Sequence, residues 1–133
     1  MMTEVANDCL PTVLIADDNP RVIEAISRLL RSAYNVIKVA ADGEEAVSGV
    51  CSQHPRLAII DICMPKLDGI AAARKLRQSG IDTKIILISQ IEDADYVREV
   101  RTVADGYVLK RRMLTDLPLA LASALSGSFF MSH

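Results

Sequence analysis

The sequence predicts an α/β protein: a doubly wound parallel sheet of five strands, each followed by a helix. Three observations predict it. Short, largely apolar and β-branched runs recur five times between residues 12 and 109, the mark of strands buried on both faces. A helical pattern of apolar residues follows each run. Polar residues suited to chemistry or capping stand directly after the runs. Right-handed crossovers leave few topologies for five such units, and the flavodoxin-like order 2-1-3-4-5 is the expected one.

Thr12-Val13-Leu14-Ile15-Ala16 is the first strand. Asn19 and Pro20 then read as an N-cap and a first helical residue. Val22, Ile23, Ile26, Leu29 and Leu30 recur at helical spacing, which places the first helix at about 20–33. Asn35 to Ala40 is the second strand. Asp42 and Glu45 have capping-box spacing for a second helix carrying Ala46, Val47 and Val50. Leu57-Ala58-Ile59-Ile60 is the third strand and ends at Asp61. The third helix is expected from about 66 to 79, stopped by Gly80. Lys84 to Ile88 is the fourth strand, ending at Ser89. A fourth helix over roughly 93–103 turns Val97, Val100 and Val103 inward. Gly106-Tyr107-Val108-Leu109 is the fifth strand, ending at Lys110. The fifth helix runs to about Leu125, with Gly127 as its stop. Pro118 fits only the first turn of a helix, so Thr115 is the expected N-cap.

The chain has 133 residues, half of them hydrophobic and 24% charged, which suits one folded domain. The expected division is an N-terminal tail over 1–11, a domain over 12–127, and a tail or the start of a linker to an absent output domain over 128–133. A net charge of −2 lacks the basic footprint of nucleic-acid binding; DNA would be reached only through another domain. No stretch approaches a membrane span, and Met1 to Leu10 is not a signal peptide. Cys9, Cys51 and Cys63 are odd in number and lack metal-type spacing, so a reduced, cytoplasmic protein is expected.

In doubly wound sheets ligands bind beyond the carboxyl ends of the strands, at the switch in strand order. Asp17 and Asp18 follow the first strand, Asp61 the third, Ser89 the fourth and Lys110 the fifth. Taken singly, each is a turn, a cap or a surface residue. Together, four strands deliver polar groups to one end of the sheet, and three carboxylates converge at the switch point. Two unit charges 4 Å apart repel by about 4 kcal/mol at an effective dielectric of 20, so the cluster calls for a cation or protons. Hard oxygen ligands with few protein contacts suit Mg²⁺, which keeps waters and adds phosphate oxygens. A carboxylate beside it can be a nucleophile toward phosphorus.

The chain resembles the receiver domains of bacterial response regulators over about 12–127. The resemblance is carried by Ala16-Asp17-Asp18-Asn19-Pro20, Ala41-Asp42-Gly43-Glu44-Glu45-Ala46, Asp61-Ile62-Cys63-Met64-Pro65 with Asp68-Gly69, Ile88-Ser89 and Gly106-Tyr107-Val108-Leu109-Lys110. It implies that Asp61 is the phosphorylation site. Asp17, Asp18, Asp61 and the backbone carbonyl of Cys63 would hold Mg²⁺, Asp18 more directly than Asp17. Lys110 would contact the phosphoryl group, Ser89 would move to hydrogen-bond it, and Tyr107 would change rotamer with Ser89. The readout would be the surface of the fourth helix, fifth strand and fifth helix, where Arg98, Arg101, Arg111 and Arg112 lie. Of these, Arg98 and Arg101 are read as solvated charge, and the tandem Arg111-Arg112 as a contact for an acidic partner or a second receiver. The implied partners are a sensor histidine kinase and a second copy on phosphorylation, and the chain would not be an enzyme beyond its own phosphorylation and dephosphorylation.

Some residues depart from the pattern. Lys110 is followed by Arg111 where the family often has proline, which speaks against a cis bond. That feature, Asp18-Asn19-Pro20 and the ending Gly127-Ser128-Phe129-Phe130 resemble receivers of the NarL/LuxR type, which control transcription. Gln90 stands where a small residue is usual, which predicts slower labelling by small phosphodonors than in Gln90→Ala; equal or faster labelling of the wild type would contradict it. Cys63 and Ile91 flank the expected path of hydrolytic water and orient it poorly, so a long-lived phosphoryl state is expected, with a half-life of seconds as the contrary result. A phosphorylation-independent pseudo-receiver is the alternative, resting on Gln90 and Arg111. A haloacid-dehalogenase-type phosphatase would need a second Asp where Cys63 stands, and a flavin or dinucleotide binder would need a Gly-rich loop after the first strand.

Overall fold

The computed structural model describes residues 9–90 and 94–132. One parallel sheet holds β1 (Thr12–Ala16), β2 (Asn35–Ala40), β3 (Leu57–Asp61), β4 (Lys84–Ser89), β5 (Gly106–Leu109) and β6 (Phe130–Met131) in the order 2-1-3-4-5-6. The helices between them are α1 (Pro20–Leu30), α2 (Gly43–Gln53), α3 (Gly69–Gln78), α4 (Ala94–Val103) and α5 (Met113–Leu125). The five expected strands and their order are present, and β6 adds a sixth. Beyond Gly127, the chain turns back and pairs Phe130 with Gly106 and Met131 with Tyr107.

Alternation along the strands sorts the core into two layers. Val13, Ile15, Leu57, Ile59, Ile86, Ile88 and Val108 face α1 and α5, where Ile26, Leu30, Leu117 and Leu121 meet them. Leu14, Ala16, Ala58, Ile60, Ile85, Leu87 and Tyr107 face α2, α3 and α4, packing on Ala46, Val50, Leu76 and Val100. Each such aliphatic side chain contributes about 1.5–3 kcal/mol by leaving water. With both faces covered, β3 is buried from end to end. The functional end of the sheet therefore stands on a rigid base.

Caps set the helix boundaries. Asn19 Oδ1 accepts from Arg21 N–H at 3.0 Å, with Pro20 in the first turn as expected. Asp42 Oδ1 accepts from Glu45 N–H at 2.8 Å, while Glu45 Oε1 reaches back to Ala41 N–H at 3.4 Å, one residue before the cap. The first helix stops at Leu30, short of the expected 33, because residues 31–33 form a turn into β2. The third starts at Gly69 and not at 66, because Asp68 takes the cap, accepting from Ala71 N–H at 2.8 Å, and Lys66 holds a left-handed φ of 68°.

The entry to α5 also differs from expectation. Thr115 is no N-cap: a 3₁₀ turn over Lys110–Arg112 leads straight into the helix at Met113, and Pro118 lies inside it. The Thr115 hydroxyl instead donates to Arg112 O at 3.1 Å. Pro118 cannot donate to the carbonyl of Leu114, but Leu114 is exposed, so water can take that place.

Two polar staples close the ends of the molecule. Arg77 of α3 donates to Val103 O at 2.8 Å, to Thr83 O at 3.1 Å and to Asp105, whose Oδ2 also accepts from Ile85 N–H at 2.8 Å. This ties α3, β4 and the α4–β5 turn at the end of the sheet away from Asp61. Buried Asp116 accepts from Ser132 Oγ at 2.6 Å and Arg112 Nε at 2.9 Å. These hydrogen bonds, that from Arg112 foremost, hold its carboxyl below the usual aspartate pKa. The same staple holds β6, whose neighbour Ser132 donates its N–H to Tyr107 O at 2.9 Å.

Candidate functional site

The carboxyl ends of β1, β3, β4 and β5 bring Asp17, Asp61, Ser89 and Lys110 to one rim of the sheet. A strand places its end residue by its ladder, and these ladders are continuous: Ala16 pairs with Ile60, Asp61 with Ile88, and Ser89 with Leu109. Asp17 is fully buried, Asp61 and Ser89 nearly so, and Asp18 is exposed. One carboxylate oxygen from each of Asp17, Asp18 and Asp61 lies within 4.8 Å of the others.

Lys110 lies between two of them. Its Nζ is 2.9 Å from Asp17 Oδ2 and donates to Asp61 Oδ2 at 3.1 Å. The contact with Asp17 is an ion pair without hydrogen-bond alignment, and Asp17 Oδ2 has no hydrogen bond despite its burial. Asp17 Oδ1 accepts from Asn19 N–H at 2.8 Å, and Asp61 Oδ1 from Cys63 N–H at 3.3 Å. Burial, then the Asp17 carboxylate, raises the Asp61 pKa above its ordinary value against the pull of Lys110 and Cys63 N–H. Burial pulls the Lys110 pKa down, but the two carboxylates more than offset it, and the net shift is upward.

Two carboxylates share one ammonium here, and a third approaches from solvent. Three carboxylates and one ammonium leave the set net negative, and Asp17 Oδ2, ion-paired with Lys110 but without a hydrogen bond, is an acceptor that a further cation or its water would use. The donors are all oxygen and few, which fits Mg²⁺. Cys63 adds a backbone turn on the exposed side. A groove of about 470 Å³ opens beside the cluster, lined by Val22, Ser89, Gln90, Leu109, Lys110, Arg111 and Met113; Gln90 stands exposed in its lining. Ile91 lies outside the described residues, so only the Cys63 half of the expected water-path pair is placed.

Tyr107 is buried, 1% exposed, and Met131 of β6 stands beside it in the ladder. Arg101 is not merely solvated: its guanidinium stacks 4.5 Å from the Phe129 ring centre. Arg112 is engaged with Asp116, which leaves Arg111 as the member of the tandem lining the groove. The Lys110–Arg111 bond is trans, as are the peptide bonds of the described residues. Cys9, Cys51 and Cys63 are exposed free thiols. No helix among the described residues is long and apolar enough to cross a membrane.

Residues 13–122 match the family model of the response regulator receiver domain. The chain is 31% identical over 125 residues to the nitrate/nitrite response regulator NarL of Escherichia coli K12, covering 92% of this chain and 58% of NarL. It superposes on a LuxR-family two-component response regulator from Aurantimonas with TM-score 0.87 at 28% identity, covering 92% of this chain and 90% of that one. The isolated receiver domain of RcsB from Salmonella enterica serovar Typhimurium, solved with the phosphomimetic BeF₃⁻, gives TM-score 0.84 at 28% identity, covering 93% and 94%. The chain spans a little over half the length of the curated relatives it matches.

Proposed function

The chain belongs to the response regulator receiver domain family, and from that membership we propose a two-component signalling receiver of the NarL/LuxR type that accepts a phosphoryl group on Asp61. The observation that carries this reading is Lys110 Nζ, 2.9 Å from Asp17 and 3.1 Å from Asp61 at the ends of three strands. A sensor histidine kinase is the donor. An Asp61 carboxylate oxygen attacks phosphorus, a P–O bond forms, and the P–N bond of the phosphohistidine breaks to release the imidazole. Asp17, Asp18, Asp61 and the Cys63 carbonyl would hold Mg²⁺, which would supply charge neutralisation and orientation for the phosphoryl oxygens. Lys110 pairs with a phosphoryl oxygen, and the Ser89 hydroxyl turns toward it.

Such a modification shifts a two-state equilibrium only by its differential contacts. Lys110 leads directly into the Lys110–Arg112 turn and α5, while Ser89 and Tyr107 sit on adjacent strands. The surface of α4, β5 and α5 therefore reads out the site toward a transcriptional output carried by another domain. The outer side of α5 supports a second copy as partner on phosphorylation. Leu114 and Leu119 are 64% and 56% exposed, and the helix's one charge, Asp116, is buried. Exposed apolar side chains on a helix with no exposed charge of its own can meet their own copy across a two-fold axis without like-charge conflict.

The test is intact mass after incubation with acetyl phosphate and Mg²⁺. The wild type is expected to gain about 80 Da, one phosphoryl group, and to lose the gain without Mg²⁺ or in Asp61→Asn. Light scattering on the labelled sample reads the dimer. No mass gain, with acetyl phosphate or with histidine kinases, would leave the pseudo-receiver as the better reading.

A further inference from the structure

Two glycines close on the loop that follows Asp61, and the space around them is taken by backbone. A Cβ on Gly69 would lie 2.3 Å from the carbonyl oxygen of Asp61 and 2.8 Å from Ile62 Cα. A Cβ on Gly43 would lie 1.8 Å from the carbonyl oxygen of Leu67. Backbone cannot swing aside as a side-chain tip does. The loop between these contacts, residues 62–68, is also tied by hydrogen bonds. Ile62 N–H donates to Ile88 O at 2.9 Å, Gly69 N–H to Ile62 O at 2.8 Å, and Leu67 N–H to Pro65 O at 2.8 Å. Lys66, held at a left-handed φ of 68°, reaches Asp42 at 3.5 Å.

We infer that Gly69 is a positioning residue for the acceptor: its bare Cα lets α3 start directly against the Asp61–Ile62 peptide and so fixes where the Asp61 carboxylate stands. The inference rests on the receiver reading above. The 2.3 Å approach is about 1 Å short of the 3.4 Å at which ordinary contact begins. A methyl at residue 69 must therefore displace the peptide that carries Asp61. That one planar peptide, tied to β4 through Ile62 N–H, joins Asp61 to the turn presenting Cys63, so a shift of it moves both. The distances from Asp61 to Asp17 and Lys110 then change together. Misplacement of a reacting group by about 1 Å costs on the order of 10²-fold in rate. Gly43 holds the far side of the same loop, where Pro65 O accepts its N–H at 3.5 Å.

The experiment compares Gly69→Ala with Arg77→Ala, which removes the staple at the opposite end of the sheet. Urea denaturation measures the stability of both, Mg²⁺ affinity is read by calorimetry, and acetyl phosphate labelling by intact mass, at a temperature where both are folded. Gly69→Ala is expected to label on the order of 10²-fold more slowly and to bind Mg²⁺ more weakly. Arg77→Ala is expected to lose stability while keeping wild-type labelling and Mg²⁺ affinity. Equal labelling and Mg²⁺ affinity in the two variants would overturn the inference. Should Gly69→Ala unfold, trimethylamine N-oxide favours the compact state and the same quantities are read there. A variant still unfolded in it also overturns the inference, because the methyl is then rejected by the whole fold. A wild type that neither binds Mg²⁺ nor takes a phosphoryl group brings down the receiver reading, and this inference with it.

Discussion

Lys110→Ala is expected to destabilise the Mg²⁺-free protein at pH 7 by on the order of 3 kcal/mol, the usual result of removing one partner from a buried ion pair. Lys110 Nζ lies 2.9 Å from Asp17 and 3.1 Å from Asp61, and its side chain is only 17% exposed. Without it, two buried carboxylates face each other with no ammonium between them. The raised Lys110 pKa fixes the sign. A lysine held above its unfolded value stabilises fully below that value, and the contribution fades only as pH rises through the folded pKa. At pH 7 the whole effect is therefore present. Adding Mg²⁺ is expected to recover part of the loss, because a ligand that binds only the folded state stabilises it by mass action. Urea titrations with and without Mg²⁺ check both points. An unchanged midpoint, or a loss that Mg²⁺ leaves untouched, would mean that the lysine does not neutralise the cluster.

Asp61→Asn is expected to move stability the other way. Burial, then Asp17, raises the Asp61 pKa in the folded state. Ionising Asp61 therefore costs more folded than unfolded, and the wild type carries that penalty at neutral pH. Asparagine removes the charge and the penalty, so the Mg²⁺-free variant should melt higher than the wild type at pH 7. The gain should appear as pH rises from the ordinary aspartate value through the raised one, then level off. Below that window both side chains are neutral, and the two proteins should melt together. A variant that melts lower at pH 7, or a gain that persists in strong acid, would sink the account. Stability and phosphoryl acceptance are thus set against each other at one residue, a trade expected where a charge is buried for chemistry.

Most of this architecture is legible in the sequence for a simple physical reason. Strands buried on both faces must be apolar throughout, so Leu57 to Ile60 and Ile85 to Ile88 stand out, and polar residues directly after such runs mark the rim where ligands bind. What escapes is decided by tertiary contact. β6 is two residues long, too short for any period to show, and it forms because Gly106 and Tyr107 offer it a ladder and Asp116 holds Ser132. Pro118 suggests a helix start, but the turn from Lys110 already sets one five residues earlier. The third helix is misread at its beginning because Lys66 occupies a conformation usually left to glycine. The tight approaches of Gly43 and Gly69 were missed as well. A signal existed: Asp42-Gly43 and Asp68-Gly69 each pair a capping aspartate with a glycine in the first turn.

The sixth strand decides how copies of this protein can meet. A parallel sheet that ended at β5 would present four residues of backbone donors and acceptors, a template for strand addition and for aggregation. Phe130 and Met131 pair with the first two of them, so half of that edge is taken and the strand that takes it is only two residues long. The opposite margin, β2, is marked by the exposed charge of Lys38, the side chain most often used to discourage such pairing. Continuation of one sheet into another is therefore disfavoured at both margins, and association is left to helix surfaces, which side chains can tune and a switch can expose or hide.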